Sequence, residues 1–168
     1  MISQSELKKL IHYNPETGIF TWVVNGLNRR EGRKAGNVCP YHGYVRIGIN
    51  MKLYKAQHLA YLYMTGEYAE NVDHRNGIRH DNRWCNIRKC TIQQNNMNMP
   101  VRSDNKSGAP GVNWYESRKK WRVTLRLDGK FKSLGYYSDF ELAALVSEEA
   151  RDKFFGDFAS SKRVNDFR

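Results

Sequence analysis

Asp73 and His74 stand side by side, Asn86 follows His74 by twelve residues, and Asn95 comes nine residues later. Cutting a phosphodiester takes a base that is neutral near pH 7 to accept a proton from water. It also takes a hard cation to stabilise the developing charge and the leaving oxygen. His74 has the chemistry of the base. Asp73 and the amide oxygen of Asn95 have the chemistry of cation ligands, because Mg²⁺ takes oxygen donors, keeps several waters and needs only one or two protein groups beside a phosphate. Mg²⁺ is therefore the expected ion, with Mn²⁺ as the alternative.

Local structure has to bring these side chains together. Thr91-Ile92-Gln93-Gln94 has the form of a capping box, the Thr91 hydroxyl serving the Gln94 backbone N–H and the Gln94 side chain reaching back. A helix is expected to start at Ile92, with Asn95 in its first turn. The short apolar run ending at His74 is expected as one strand and Ile87 to Thr91 as its return strand, so the unit is strand, loop, strand, helix.

The stretch from Val72 to Asn98 resembles the HNH (His-Me finger, ββα-metal) nucleases, in particular the phage and intron-encoded group with the pattern DHxxGxxxDNRxxNLRxxTxxxN. Asp73-His74, Gly77, Asp81-Asn82-Arg83, Asn86-Ile87-Arg88, Thr91 and Asn95 stand at its positions, Ile87 replacing the usual leucine. The resemblance implies a nuclease acting on double-stranded DNA with a divalent metal. It makes His74 the general base, Asp73 and Asn95 the metal ligands, and Asn86 a loop-bracing residue that orients His74. An Asp-His pair or an Asn-rich loop alone is a common turn feature. The combined spacing and the helix cap separate this stretch from one.

Composition agrees with that substrate. The chain has 168 residues with 28 Lys+Arg against 17 Asp+Glu, a net +11, which points to a polyanion. No apolar run approaches 18 residues and the start is not that of a signal peptide, so a soluble cytoplasmic protein is expected, in the host cytoplasm if phage-encoded. Neither a membrane nor an obligate protein partner is expected. Cys39, Cys85 and Cys90 form no C-x-x-C pair and are expected as free thiols; zinc is not expected. The length suits two small modules: a nuclease module over 1–98, a polar linker with two prolines over 99–110, and a DNA-binding module over 111–168.

Ahead of the motif, the capping box Ser3 to Glu6 opens a helix expected to reach about Tyr13, Asn14 to Gly18 form a turn, and Ile19 to Val24 a strand. The loop Asn28 to Lys34 carries Arg29, Arg30, Arg33 and Lys34, which suit either a solvated tip or a phosphate clamp. Gly43 to Ile49 and Leu53 to Gln57 alternate like a hairpin, and His58 to Thr65 is expected as a helix stopped by Gly66. His58 is read as a packed residue. The segments PETGIFTW and KAQHLAYLYMTGE also resemble the front half of phage HNH proteins.

In the second module three strands are expected, Gly111 to Tyr115, Trp121 to Leu127 and Lys130 to Tyr136, the last two joined by the two-residue turn Asp128-Gly129. That turn sets Leu127 opposite Lys130 and puts Arg122, Thr124, Arg126, Phe131 and Ser133 on one face. Trp121, Val123, Leu125 and Leu134 fall on the other. A box at Ser138 to Glu141 opens a helix to about Phe155 whose Leu142, Val146, Ala150 and Phe154 are expected to cover the apolar face, with Gly156 ending it. Arg102 to Lys132 holds nine Lys+Arg and three acids, whereas Ser133 to Arg168 holds five and seven, so the strands carry the positive charge. Gly111-Val112, Trp121, Leu134-Gly135, Tyr137, Ala143-Ala144, Gly156 and Ala159 resemble the APETALA2-type DNA-binding domain. That resemblance implies a sheet in the major groove, with Asn113, Arg122, Thr124, Arg126, Phe131 and Ser133 facing the DNA. The fold class expected is α+β: a ββα-metal module, a linker, and a three-stranded antiparallel sheet on one helix. The function expected is a free-standing phage homing-type HNH endonuclease. The alternatives are a non-catalytic DNA-binding regulator retaining the HNH fold and a structure-specific nuclease for RNA or branched DNA.

Overall fold

The computed structural model describes residues 1–27, 29–99, 101 and 103–159. Its α+β chain separates into two compact units, the first Met1–Asn95 and the second running from Asn96. The first unit follows the order α1 (Gln4–Leu10), β1 (Ile11–Asn14), β2 (Ile19–Trp22), β3 (Asn37–Val38), β4 (Val45–Ile49), β5 (Lys52–Lys55), α2 (Ala56–Thr65), β6 (Val72–His74), β7 (Ile87–Lys89) and α3 (Ile92–Met97). The division between the units falls inside α3, after Asn95. Sheets are small and antiparallel: β1 with β2, β3 with β4 and β5, β6 with β7.

Helix α1 is shorter than its periodicity suggests. Ser3 and Glu6 form the expected capping box, but the helix stops at Leu10 and the next four residues pair with β2 from Ile11↔Trp22 to Asn14↔Ile19. A strand puts Ile11 and Tyr13 on one face, where both are buried. A continuing helix would have turned them apart. The β4–β5 turn is the two-residue Asn50-Met51, with φ of 49° and 59°, and Ile49 faces Lys52 across it. The strand after it ends at Lys55, and α2 begins at Ala56, so Gln57 is helical rather than extended. Gly66 closes α2 with φ 79°, its N–H donating to Leu62 C=O. Leu7, Ile11, Tyr13, Phe20, Ile47, Ile49 and Leu59 are in the core of this unit.

The second unit holds β8 (Val112–Tyr115), β9 (Lys120–Leu127), β10 (Lys130–Tyr137) and α4 (Phe140–Phe155), with the sheet order β10-β9-β8. The hairpin register is the expected one from Leu127↔Lys130 to Thr124↔Ser133. Leu134 is then a bulge residue, and pairing resumes at Val123↔Gly135, Arg122↔Tyr136 and Trp121↔Tyr137. The N-cap of α4 is Asp139, whose carboxylate accepts from Leu142 N–H, and not Ser138. The buried face of α4 keeps Val146 and Ala150 of the expected set, both packed on the core, and is otherwise turned. Ala143, Ser147 and Phe155 are buried, whereas Leu142 and Phe154 are 49% and 42% exposed. Small side chains explain this: Ser147 donates its hydroxyl to Pro110 C=O, and a Cβ on Gly111, at φ +73°, would meet Thr124 O at 2.3 Å. Before β8, Ser107 Oγ donates to Val112 C=O at 2.7 Å and Asn105 Nδ2 to Ala109 C=O at 3.0 Å, so this part of the expected linker is held by side-chain bonds.

Candidate active site

The β6–β7 hairpin pairs Val72↔Lys89, Asp73↔Arg88 and His74↔Ile87. All three β6 residues are buried, Val72 in a small apolar cluster with Ala69 and Ile87 that Tyr61 and Trp84 pack against. A buried carboxylate needs a partner. Arg88, directly across the ladder, supplies it through Nε and Nη2, 2.9 and 2.6 Å from Asp73 Oδ2.

The loop from Arg75 to Asn86 then closes over His74. Asn86 is fully buried; its Oδ1 accepts from Asn76 N–H at 2.9 Å and its Nδ2 donates to Asp81 C=O at 2.8 Å, so one amide ties both ends of the loop. Asp81 is gripped by Arg83 at 2.9 and 2.7 Å and by Asn76 Nδ2 at 2.7 Å. Those bonds, Arg83's first, hold its carboxyl below the usual value.

The group bonded to the imidazole is Asn82, which the motif contains but to which sequence reasoning gave no role. Its Oδ1 lies 3.2 Å from His74 Nε2, while its Nδ2 donates to His80 C=O at 3.2 Å. Because the amide nitrogen is spent on a carbonyl, the oxygen faces the ring, and Nε2 must carry the proton. Nδ1 then holds the lone pair in the neutral imidazole. Burial lowers the His74 pKa below the ordinary value, against the opposing pull of the Asn82 bond and the Asp73 and Asp81 charges. The His74 imidazole is thus neutral at pH 7.

The N-terminal hairpin sets the loop's position. Tyr13 donates its hydroxyl to Asn82 C=O at 2.6 Å, and Trp84 N–H donates to Pro15 C=O at 2.8 Å. Gly18, at φ +71°, lies so close that a Cβ there would be 2.4 Å from the Asn82 carbonyl carbon. His58, by contrast, packs: Nδ1 is 3.0 Å from Ala69 O and the ring stacks on Tyr68.

Asn95 is exposed on α3, whose start has both halves of the capping box. Gln94 N–H donates to Thr91 Oγ1 at 3.1 Å and Thr91 N–H to Gln94 Oε1 at 2.8 Å. A carboxylate on Asp73 and an amide oxygen on Asn95 fit a hard, water-retaining cation. Among the described residues no group of three His, Cys, Asp or Glu could hold a metal, and Cys39, Cys85 and Cys90 are free thiols.

Two basic surfaces accompany the site's chemistry. In the first unit Arg29, Arg30, Arg33 and Lys34 line a shallow basin of about 370 Å³ with Trp22, and the Arg29 guanidinium lies 4.8 Å from the Trp22 ring. In the second, the register places Asn113, Arg122, Thr124, Arg126, Phe131 and Ser133 on one face of the sheet. The bulge at Leu134 adds a residue not expected there: Tyr136 pairs with Arg122, sits 5.4 Å from the Tyr115 ring at a 53° tilt and lies under Arg118 at 4.4 Å. A glycine inside a strand, Gly135, is the sequence signal for such a bulge.

No curated protein and no solved structure matches the chain. A family model described as HNH endonuclease matches residues 54–97, which span β6, the His74 loop, β7 and α3 together with the helix α2 that packs against them. The match to the HNH endonuclease family is carried by that segment, in which His74 Nε2 is bonded to Asn82 and Asp73 stands one residue away.

Proposed function

We propose that this protein is a metal-dependent DNA endonuclease of the free-standing phage homing type, whose second unit is an APETALA2-like DNA-binding module. The observation that supports cutting most strongly is the buried His74 with Nε2 committed to Asn82, since it leaves Nδ1 as the proton acceptor. In this mechanism His74 Nδ1 takes a proton from the attacking water. Asn82 holds the ring, and Asn86 holds the loop that carries Asn82. Asp73 and Asn95 would bind Mg²⁺ or Mn²⁺, which supplies charge stabilisation at the phosphate and the leaving oxygen. Asn113, Arg122, Thr124, Arg126, Phe131 and Ser133 of the sheet, and Arg29, Arg30, Arg33 and Lys34 of the basin, would contact the duplex.

One observation favours a second reading. Asp73 is half of a buried ion pair, so a DNA-binding regulator that had lost catalysis would still need it for folding. Supercoiled plasmid incubated with and without Mg²⁺ separates the two: metal-dependent nicking or linearisation, abolished by His74→Ala, is expected for the nuclease. An intact plasmid bound but never cut would leave the regulator.

A further inference from the structure

Beyond the residues that act on the reacting phosphate, we propose that Tyr44, Lys55 and Arg79 form a second binding site, for a backbone phosphate of the same DNA strand beside the one being cut. It rests on the reading of the first unit as a DNA nuclease. Two segments, the end of β5 and the stretch from His74 to Arg79, converge on the Tyr44 ring. The Lys55 ammonium is 4.7 Å from its centroid, the Arg79 guanidinium 5.3 Å, and the His74 ring 6.0 Å. Arg79 is held there. Its Nη1 donates to His42 C=O at 3.1 Å, and the backbone of Gly43, at φ +70°, lies against its side chain.

Among the described residues, the charges on this ring have no carboxylate within ion-pair distance, so neither Lys55 nor Arg79 makes an ion pair. The two acids of the neighbouring strand and loop are engaged by other arginines, Asp73 by Arg88 and Asp81 by Arg83. Lys55 is moreover the N-cap residue of α2, a ten-residue helix with no acid in its first turn and no side-chain cap bond. A cation at that end of a helix opposes the macrodipole, and an anion would satisfy both. Tyr44 is half-buried while Lys55 and Arg79 are exposed, so the site is an open ledge rather than an enclosed cavity. An open ledge suits a polymer whose backbone passes across it. Successive phosphates of one strand advance about 3.4 Å along the duplex axis, so a strand with one phosphate at His74 places the next ones within reach of the ledge. The ring keeps two like charges close together through cation–π attraction, and Tyr44 is in this way a positioning residue for both.

Binding of a mixed-sequence duplex, measured by fluorescence anisotropy in EDTA over a series of salt concentrations, tests this. The double variant Lys55→Gln/Arg79→Gln is expected to bind about 10-fold or more weakly, with a log Kd against log salt slope shallower by about 1 to 2, since each phosphate contact contributes about 0.9. Lys55→Arg/Arg79→Lys, which keeps the charge, is expected to retain affinity within about 3-fold. Tyr44→Leu removes no charge, yet is expected to weaken binding several-fold while Tyr44→Phe does not; a purely long-range electrostatic effect would leave both unchanged. Thermal melts of all four variants identify any that fail to fold. Wild-type-like affinity and slope in the double variant, or equal binding by folded Tyr44→Leu and Tyr44→Phe, would overturn the ledge while plasmid cutting still upheld the nuclease. A wild-type chain that binds no duplex would overturn the nuclease reading and the ledge with it.

Discussion

His74, the proposed general base, takes its chemistry from its surroundings. An exposed histidine is half protonated near pH 6.5, whereas burial favours the neutral ring here and the Asn82 bond selects which nitrogen carries the proton. Because the base must be unprotonated to accept a proton, the cleavage rate should be flat above neutrality. It should fall on acidification with a midpoint below the ordinary histidine value. A pH–rate profile at saturating Mg²⁺ with its midpoint above 6.5 would contradict that. His74→Ala should lower the rate on the order of 10²- to 10⁴-fold with duplex affinity nearly intact. Asn82→Ala should lose part of the rate and move the acid limb to still lower pH, since the bond it removes is the main one opposing the effect of burial.

At the scale of elements, the short pieces around the site are held by specific bonds more than by packing. Helix α3 is six residues long with none buried, so its start depends on the Thr91–Gln94 box. Removing such a cap costs about 0.5–2 kcal/mol. Thr91→Ala should therefore raise the Mg²⁺ concentration needed for half-maximal cutting, as Asn95→Ala should, while saturating metal restores more of the rate in Thr91→Ala. Metal titrations that overlay the wild type for both would remove Asn95 from the ligand set. The Asp73–Arg88 pair is a different kind of support, with both side chains 7–8% exposed. Stranding one charge of a buried pair costs about 3–5 kcal/mol, so Arg88→Ala should show a large loss of stability in urea unfolding, not merely a loss of activity. Gly18→Ala should also destabilise, because a Cβ would press on the Asn82 backbone that Tyr13 and Trp84 help to anchor.

For the whole molecule, the two units have separate apolar cores, one around Leu7, Ile47 and Leu59 and the other around Val112, Val123 and Ala143. No described helix is long and apolar enough to cross a membrane. If the first unit cuts and the second addresses, separate cores let the two fail independently. A chain ending after Met99 keeps α3 whole and should cut weakly with metal and little sequence preference. In the full chain, Arg122→Ala/Arg126→Ala should weaken duplex binding with a shallower salt dependence. If either arginine reads a guanine, preference there should relax by roughly 1–3 kcal/mol. Titrations on target and scrambled duplexes at several salt concentrations read both quantities. Unchanged affinity, slope and preference would return the addressing role to the basin of Arg29, Arg30, Arg33 and Lys34.

What the sequence by itself determined is what depends on near neighbours along the chain. The Thr91 box, the Asp128-Gly129 hairpin and its register, the β6–β7 unit and the helix stop at Gly66 all follow from side chains within a few residues of one another, where local hydrogen bonding and φ preference dominate. The Asp73–Arg88 pair had no such signal, because the register that sets His74 opposite Ile87 came only with the fold. Tertiary structure decided the rest. Residues 11–13 left the helix because β2 was available to pair and the core to receive Ile11 and Tyr13. The α4 face turned in part because Ala143 and Ser147 allow a close approach to the sheet that Leu142 would not. Asn82 became the partner of His74, and Tyr44 the meeting point of Lys55 and Arg79, through loop closures between segments that share no periodicity. Contacts of that kind depend on which surfaces the folded core brings together, and no spacing along the chain encodes them.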